Sequence, residues 1–347
     1  MMAQFVSIDD TSKIVYDVVS LAIIEKSSHQ ASALSDSDKY DHLRLDVLLL
    51  HGMAPVGRKC WGLKDHTSNN SLMKNGKLAS DNVNTFIEAI KQHSNNKISH
   101  VEFIMPDRPG YCDSDAAPSV KEQGCDDVAN KGYSYAQFAT DMLKVVAHAT
   151  AGDDNDDGEL DSTRKRSLIV LGTSSGGPCA LAIRNRILSE TSSSLPNHIF
   201  LGTIICSSDC PYSHPHCPQA VTVEDTKELN GRSIQQYAQD ESLKRFRRNS
   251  KHGFVTDYLL ERTNWGFDLA APSHVSCYDR ANHRCNRVHM YVGGEDDYKS
   301  IRLGAQFLRE LIADDARLQI LDEEDHFYAS RKPELLAKLL ATMTSPR

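Results

Sequence analysis

The stretch Leu168–Gly177 reads L-I-V-L-G-T-S-S-G-G and sets the expectation for the fold. Its apolar start predicts a buried strand, and the glycines and hydroxyl residues that follow predict a sharp turn into a helix. Ser174 stands between Gly172 and Gly176, which is the spacing at which such a turn exposes a nucleophilic serine. Ser174 is therefore the candidate nucleophile.

Two other interpretations of this turn remain open. Ser175 could be the nucleophile, but Thr173 would then occupy the place of the first glycine. A glycine-rich turn before a helix can also hold a phosphate group at the helix N-terminus. The phosphate interpretation has less support, because no P-loop lysine follows the turn.

Apolar runs alternate with helical periodicity along the chain, a pattern typical of βα units on a mainly parallel sheet. The predicted strands are Val47–Leu50, Val101–Met105, Leu168–Leu171, Ile199–Ile205, Val288–Val292 and Leu318–Leu321. The best-marked helix, Tyr135–His148, begins with Ser134 and Gln137 at the spacing of a capping box. Another predicted helix, Pro178–Leu188, directly follows the serine turn. We expect an α/β fold with a doubly wound, mostly parallel sheet.

Three segments interrupt this alternation. Ser27–Asp41 is polar, serine-rich and acidic, and it predicts a surface insertion between early strands. Ala151–Arg166 predicts an acidic loop that turns basic. The stretch from Ser207 to about Cys285 combines polar helical segments with proline, histidine and cysteine clusters, and it predicts an inserted helical cap. The expected organisation is a core formed by residues 1–206 and 286–347, with the cap at 207–285.

Composition narrows the classes of partner. Apolar residues make up 40% and charged residues 25% of the 347 residues, which is typical of a folded globular protein. The net charge is −8, and the short basic clusters Arg164–Arg166 and Lys244–Arg248 lack stacking aromatics, which argues against nucleic acid as a partner.

The N-terminal residues have no secretory pattern. The nine cysteines of the chain are therefore expected to be reduced thiols and not a disulfide framework. We expect a cytoplasmic protein without a membrane span.

Further motifs accompany the serine turn in chain order. They are H-G-M at His51–Met53, P-D-R-P-G-Y at Pro106–Tyr111, N-W-G-F-D-L at Asn264–Leu269, G-G-E-D-D at Gly293–Asp297 and D-H-F at Asp325–Phe327. As an ordered set covering most of residues 43–341, they resemble the α/β-hydrolase superfamily. The W-G-F-D-L stretch is similar to the one that closes the cap in a group of uncharacterised plant and microbial members. Cys112 replaces the usual glycine after P-D-R-P-G-Y, which predicts a tightened or redirected loop.

The resemblance implies a histidine that activates the serine. A serine hydroxyl is a weak nucleophile at neutral pH and needs a base. Members of the superfamily carry the nucleophile, the acid and the histidine in that chain order. His326 follows the last predicted strand, so the resemblance assigns it as the base for Ser174.

The acid that orients this histidine has three candidates. In such enzymes the loop after the penultimate strand commonly reads G-x-x-D. Counting from Gly294 selects Asp297, which is the expected acid, and counting from Gly293 selects Asp296. A placement one strand earlier would select Asp209.

The resemblance also implies the chemistry. Backbone N–H groups of Met53 and Ser175 are the expected donors to an oxyanion, and no cofactor is needed. Members that open epoxides or remove halides carry aspartate at the elbow, so Ser174 implies acyl transfer from a small-molecule ester, with thioesters and amides left open.

The alternative function is that of a non-catalytic receptor or scaffold. The cap residues expected to contact substrate are Trp265, Phe267, Tyr258 and Phe254.

Two clusters contain metal-binding side chains, but neither is expected to hold a metal. The segment 153–164 matches much of a calcium loop, yet Arg164 occupies the position of its bidentate carboxylate. The cap has zinc-binding residue types without the spacing of a common zinc module. These residues are Cys210, His214, His216 and Cys217 near its start, and Cys277, His283 and Cys285 near its end.

Overall fold

A computed structural model gives the fold of most of the chain. It describes residues 4–8, 12–24, 43–53, 57–61, 80–115, 133–151, 166–189, 195, 197–218, 228–229, 232–233, 251–262, 264–270, 278–279, 284–285, 287–313 and 316–344. The predicted surface segment Ser27–Asp41, the calcium-like stretch 153–164 and the zinc candidates Cys277 and His283 lie outside the described residues.

A ten-stranded sheet forms the centre of the protein, and a separate two-stranded sheet pairs β7 with β8. The strands in chain order are β1 Gln4–Ser7, β2 Lys13–Ala22, β3 Leu43–Leu50, β4 Ile98–Pro106, β5 Arg166–Thr173, β6 His198–Cys206, β7 Glu228–Leu229, β8 Arg232–Ser233, β9 Tyr278–Asp279, β10 Arg284–Cys285, β11 Val288–Gly293 and β12 Ala316–Leu321. Each predicted strand is present, whereas β1 and β2 were not among the predictions.

The order of strands is that of a doubly wound sheet. Across the sheet the order is β1, β2, β4, β3, β5 and β6, and β11 and β12 continue beside β6. Strands β3, β4, β5, β6, β11 and β12 are parallel, while β1 and β2 pair antiparallel to their neighbours. The predicted mostly parallel α/β sheet is confirmed. The carboxyl ends of the parallel strands all lie along one edge of the sheet. The loops after β3, β5, β6, β11 and β12 can meet at this edge.

Helices cover both faces of the sheet. They are α1 Ser80–Ser94, α2 Tyr135–Thr150, α3 Gly176–Ser189, α4 Lys251–Arg262, α5 Lys299–Ile312, α6 Tyr328–Arg331 and α7 Pro333–Thr344, with a 3₁₀ helix at Gly57–Trp61. One apolar layer packs α2 and α3 against the sheet, and the other packs α1 and α7. Because both faces are covered, β5 is buried along nearly its whole length. Among the described residues, no helix combines the length and apolar character needed to cross a membrane.

The start of α2 agrees in part with the predicted capping box. The hydroxyl of Ser134 accepts a hydrogen bond from the Gln137 N–H at 3.2 Å. The side chain of Gln137 does not complete the box but donates to Asp141 at 3.0 Å. The predicted inner face of the helix is buried, with Phe138 and Met142 in the core.

Residues 207–285, the predicted cap, contain α4 and the short strands β7 to β10 among their described parts. Arg284 of β10 pairs with Phe200 of β6, so the last residues of this segment belong to the main sheet. The remaining division of the chain into core and cap stays a prediction.

A buried charge network lies at the amino ends of the parallel strands, opposite the serine turn. Arg166 binds both carboxylate oxygens of Asp46, at 2.5 and 2.6 Å, and one oxygen of Glu102 at 2.7 Å. His198 Nε2 lies 2.9 Å from Asp46. Burial alone would raise the pKa of Asp46, but hydrogen bonds from His198 and Arg166 outweigh it and hold this pKa below its usual value.

Candidate active site

The turn after β5 holds Ser174 in a strained conformation. Its φ is +51°, in the left-handed region that costs a non-glycine residue about 1–3 kcal/mol. Gly172 makes this turn possible, since a Cβ there would overlap the carbonyl of Gly176. The Ser174 N–H donates to the Cys206 carbonyl at 3.0 Å, and the Ser174 carbonyl accepts from the Gly177 N–H at 2.8 Å. These bonds fix the turn against the end of β6.

The loop after β3 packs directly on this turn. A Cβ on Gly52 would lie 2.7 Å from the Ser174 Cβ, and one on Gly176 would lie 2.5 Å from the Leu50 carbonyl oxygen. Neither contact leaves room for a side chain. The glycines therefore bring the His51–Met53 loop beside Ser174, with Met53 half-buried and Ser175 fully buried.

His326 is paired with Asp296. The ring Nδ1 lies 2.8 Å from the Asp296 carboxylate, and both side chains are buried. Because a carboxylate can only accept, the Nδ1–H of the ring faces Asp296, and in the neutral imidazole Nε2 is then the nitrogen that accepts. The rings of Tyr298 and Phe327 lie 4.6 and 4.9 Å from the imidazole and hold its orientation.

Asp297, the acid expected from the sequence, does not make this contact, because its side chain is exposed. Strand β11 ends at Gly293, and the Asp296 N–H closes a turn onto the Gly293 carbonyl at 3.3 Å. The G-x-x-D count therefore starts one residue earlier than Gly294. The aspartate that contacts the histidine is therefore Asp296, the candidate selected by counting from Gly293.

Backbone contacts hold the two loops together. The Gly294 N–H donates to Leu321 and the Glu295 N–H to Glu324, at 2.8 and 3.0 Å. The Tyr298 N–H donates to the second Asp296 oxygen at 2.9 Å. Burial would raise the pKa of Asp296, but its hydrogen bond with His326 contributes to holding this pKa below the usual value. Asp296 is thus ionised at neutral pH.

Asp209 also lies near His326 but is bonded elsewhere. The Tyr212 hydroxyl donates to its carboxylate at 2.6 Å. Burial raises the pKa of Asp209, and the hydrogen bond from Tyr212, followed by the charge of His326, partly offsets that rise. The third acid candidate is therefore bonded to Tyr212, while Asp296 makes the direct contact with the histidine.

A buried ion pair that sequence reasoning missed joins α4 to this site. Arg108 of the P-D-R-P-G-Y loop contacts both carboxylate oxygens of Asp257, at 2.8 and 2.7 Å. The Tyr111 hydroxyl donates to the same carboxylate. Cys112, in the same loop, keeps a left-handed φ of +44°, which is the conformation that favours glycine. The sequence held a cue for a buried Asp257, which stands within the largely apolar stretch Phe254–Leu260 of α4, but none for its partner.

Glu261, one turn after Asp257, is the other acidic residue of α4. It is 2% exposed, it accepts a 3.4 Å contact from Arg262, and its carboxyl group lies against that of Asp209. Burial, followed by the carboxylates of Asp209 and Asp257, raises the pKa of Glu261 well above its usual value. Glu261 is therefore a neutral acid over part of the pH range in which surface carboxylates are ionised.

The predicted substrate-contacting aromatics fall into two groups. Phe254 packs on Tyr111 at 5.6 Å, and Tyr258 stacks under the Arg262 guanidinium at 3.6 Å. Trp265 and Phe267 pack on each other at 5.7 Å, and both contact the ring of Tyr135 at the start of α2. The first group lies on α4, near the Arg108 loop, and the second joins the 264–270 segment to the core.

The cysteine and histidine cluster does not form a metal site among the residues described. Cys210 Sγ and Cys217 Sγ lie 3.4 Å apart, and the His214 ring packs on Phe307 at 5.2 Å. No group of three or more histidine, cysteine, aspartate or glutamate side chains in the described ranges could hold a metal ion.

Comparisons with known proteins found a matching family model and similar solved structures. The model of the alpha/beta hydrolase family matches residues 47–339. Among solved structures, a hydrolase from Pseudomonas aeruginosa is 12% identical with a TM-score of 0.50, over 99% of this chain and 98% of that one. An esterase from Exiguobacterium antarcticum is 17% identical with a TM-score of 0.48, over 99% and 100%. A thermophilic esterase from Thermogutta terrifontis is 13% identical with a TM-score of 0.48, over 99% and 98%. No curated protein matches the sequence.

The raised pKa of Glu261 predicts a pH-dependent effect of Glu261→Gln. Between the usual and the raised pKa the folded protein binds more protons than the unfolded chain, so stability falls as pH rises through that window. Glutamine mimics the protonated acid and avoids this loss. We expect the variant and the wild type to unfold at similar temperatures near pH ~4 and the variant to melt about 2–4 °C higher near pH ~8.

Thermal unfolding followed by circular dichroism across this range measures the difference. Glu88→Gln on exposed α1 is the control and should show no pH-dependent gap. Equal melting temperatures of the Glu261→Gln variant and the wild type at both ends of the range would contradict a neutral Glu261.

Proposed function

The chain belongs to the alpha/beta hydrolase family, and on that premise we propose that it is a serine hydrolase that cleaves esters of small to medium acyl groups. The observation that carries the proposal is the strained Ser174 at the sheet edge where the His326–Asp296 pair also lies. A serine held in this conformation at the end of a central strand exposes its hydroxyl to a ligand. A buried histidine with a paired carboxylate supplies a base with a defined tautomer.

The reaction proceeds by acyl transfer. Ser174 Oγ attacks the acyl carbonyl while His326 Nε2 accepts its proton, and Asp296 stabilises the imidazolium through Nδ1–H. His326 then protonates the leaving group. Water, activated by the same histidine, hydrolyses the acyl-enzyme and returns Ser174 to its starting state.

Backbone N–H groups of Met53 and Ser175 stabilise the oxyanion formed in each step. Support for this assignment comes from the close packing of the His51–Met53 loop against Ser174. Losing one donor of this kind typically lowers the rate by about a hundredfold to a thousandfold.

His51 serves to shape the loop rather than to move protons. Burial, together with the charge of Arg108, holds the pKa of His51 well below its usual value, so the ring is neutral. Its Nδ1–H donates to the Gly52 carbonyl at 2.7 Å, and its Nε2 accepts from the Arg108 backbone N–H at 3.2 Å. Both ring nitrogens are thus occupied.

The cap sets which acyl group fits. We assign contact with substrate to Phe254 and Tyr258, whose helix packs on the Arg108 loop. For Trp265 and Phe267 the substrate-contacting role predicted from the sequence is still part of the proposal, although their rings pack on Tyr135. Ester cleavage is the leading chemistry, and thioesters and amides react by the same route. None of the described cysteines forms a disulfide, and a reducing compartment such as the cytoplasm is part of the proposal.

A series of p-nitrophenyl esters of graded acyl length tests the proposal. The wild type should release p-nitrophenol with an optimum at one chain length, because a pocket of finite depth selects the acyl group. Ser174→Ala should lower kcat/KM by at least about a thousandfold. Circular dichroism of both proteins serves as the folding control. A folded wild type that cleaves no acyl donor in the series would instead favour a receptor or scaffold.

The acid assignment predicts a contrast between adjacent aspartates. Asp296→Asn should lower kcat/KM by about a thousandfold or more, because the amide favours the wrong histidine tautomer. Asp297→Asn, which changes an exposed side chain by the same atoms, should stay close to wild type. Steady-state kinetics on the preferred ester measures both. A large loss in Asp297→Asn with a mild effect in Asp296→Asn would reverse the assignment.

A further inference from the structure

Arg108 contacts both loops that we propose to form the oxyanion hole. Its Nη2 donates to the Ser175 hydroxyl at 2.9 Å, and its Nη1 lies 3.4 Å from the Ser175 carbonyl oxygen. Its backbone N–H donates to His51, whose other ring nitrogen is bonded to Gly52. One residue therefore holds the residue after the nucleophile and the loop that carries Met53.

Asp257 holds Arg108 in turn. The guanidinium binds the carboxylate through both terminal nitrogens, and both side chains are buried. Such a two-point contact fixes the plane of the guanidinium. Arg108 Nε has no hydrogen-bond partner, so the contacts of this side chain are concentrated at the end that faces Asp257 and Ser175.

The carboxylate belongs to the cap helix. Asp257 lies in the middle of α4, and the start of α4 is seated on the Arg108 loop. The Gly253 N–H donates to the Gly110 carbonyl at 3.0 Å, and a Cβ on Gly253 would overlap the Tyr111 ring. The position of α4 and the position of the guanidinium are therefore linked.

We propose that Arg108 and Asp257 are positioning residues that hold the oxyanion hole in its working geometry, so that docking of α4 completes the catalytic site. The inference rests on the proposed function. The residues do not touch the reacting atoms, and they act by fixing Ser175 and the His51–Met53 loop. Their loss should then lower kcat more than it changes KM, because the oxyanion forms only during the reaction.

Two variants separate positioning from a merely structural role. Arg108→Lys keeps the positive charge beside Asp257 but lacks the fork that reaches Ser175. The double variant R108M/D257L removes both charges, which avoids an unpaired buried charge and favours folding. Arg166→Lys is the matched control, because Arg166 makes the same two-point contact with a buried aspartate at the opposite edge of the sheet.

The readouts are kcat and KM on the preferred ester, the rate of labelling by a fluorophosphonate, and the melting temperature. We expect Arg108→Lys and the double variant to lose about tenfold to a hundredfold in kcat and in labelling rate, with KM changed only a few-fold. Arg166→Lys should lose stability without a change in kcat. If Arg108→Lys does not fold, the kcat of the double variant R108M/D257L tests the positioning role.

Wild-type kcat in a folded Arg108→Lys or double variant would overturn the positioning role while leaving the proposed function intact. A comparable loss of kcat in Arg166→Lys would also overturn it, since the effect would then follow from any buried arginine. A wild type that is neither active nor labelled would overturn the proposed function first, and the inference with it.

Discussion

The left-handed turn at Ser174 is the constraint on which the site depends. The turn is strained, and it persists because three close approaches leave no alternative: Gly172 against Gly176, Gly176 against the end of β3, and Gly52 against Ser174 itself. Each approach needs a glycine, and two of them join the turn to the end of β3 and the loop that follows it. The same contacts that hold the serine therefore also bring the oxyanion loop to it, so strain at one residue organises two parts of the site.

Buried ionisable groups are a second feature of this site that lowers the stability of the folded protein. Arg108, Asp209, Asp257 and Glu261 all lie in the interior, where an ion without partners is expensive. The protein offsets the cost in two ways: Arg108 and Asp257 neutralise each other at short range, while Glu261 takes up a proton as the pH falls. The charged network of Asp46 and Arg166 lies at the amino ends of the parallel strands, away from the serine turn. Both networks contain an arginine that contacts a buried aspartate at two points, and they differ in where they lie relative to Ser174.

Much of the fold could be predicted because continuous apolar runs between turn residues mark strands that are buried on both faces. Ser174 and His326 could be nominated for a related reason, since each follows such a run in the expected order. The sequence left the acid open, because the choice depends on the residue at which β11 ends. Counting from Gly293 selects the buried Asp296, and counting from Gly294 selects the exposed Asp297. The contact between Arg108 and Asp257 joins residues 149 positions apart, and no local pattern predicts their pairing.

The central claim is that the strained serine, and not its neighbour, is the reactive one. Ser175 is buried and its hydroxyl accepts from Arg108, whereas Ser174 lies partly exposed at the end of β5. Incubation of the intact protein with a fluorophosphonate, followed by proteolysis and fragmentation of the labelled peptide in the mass spectrometer, locates the adduct to one residue. We predict a single adduct on Ser174. An adduct on Ser175, or a folded protein that carries none, would contradict it.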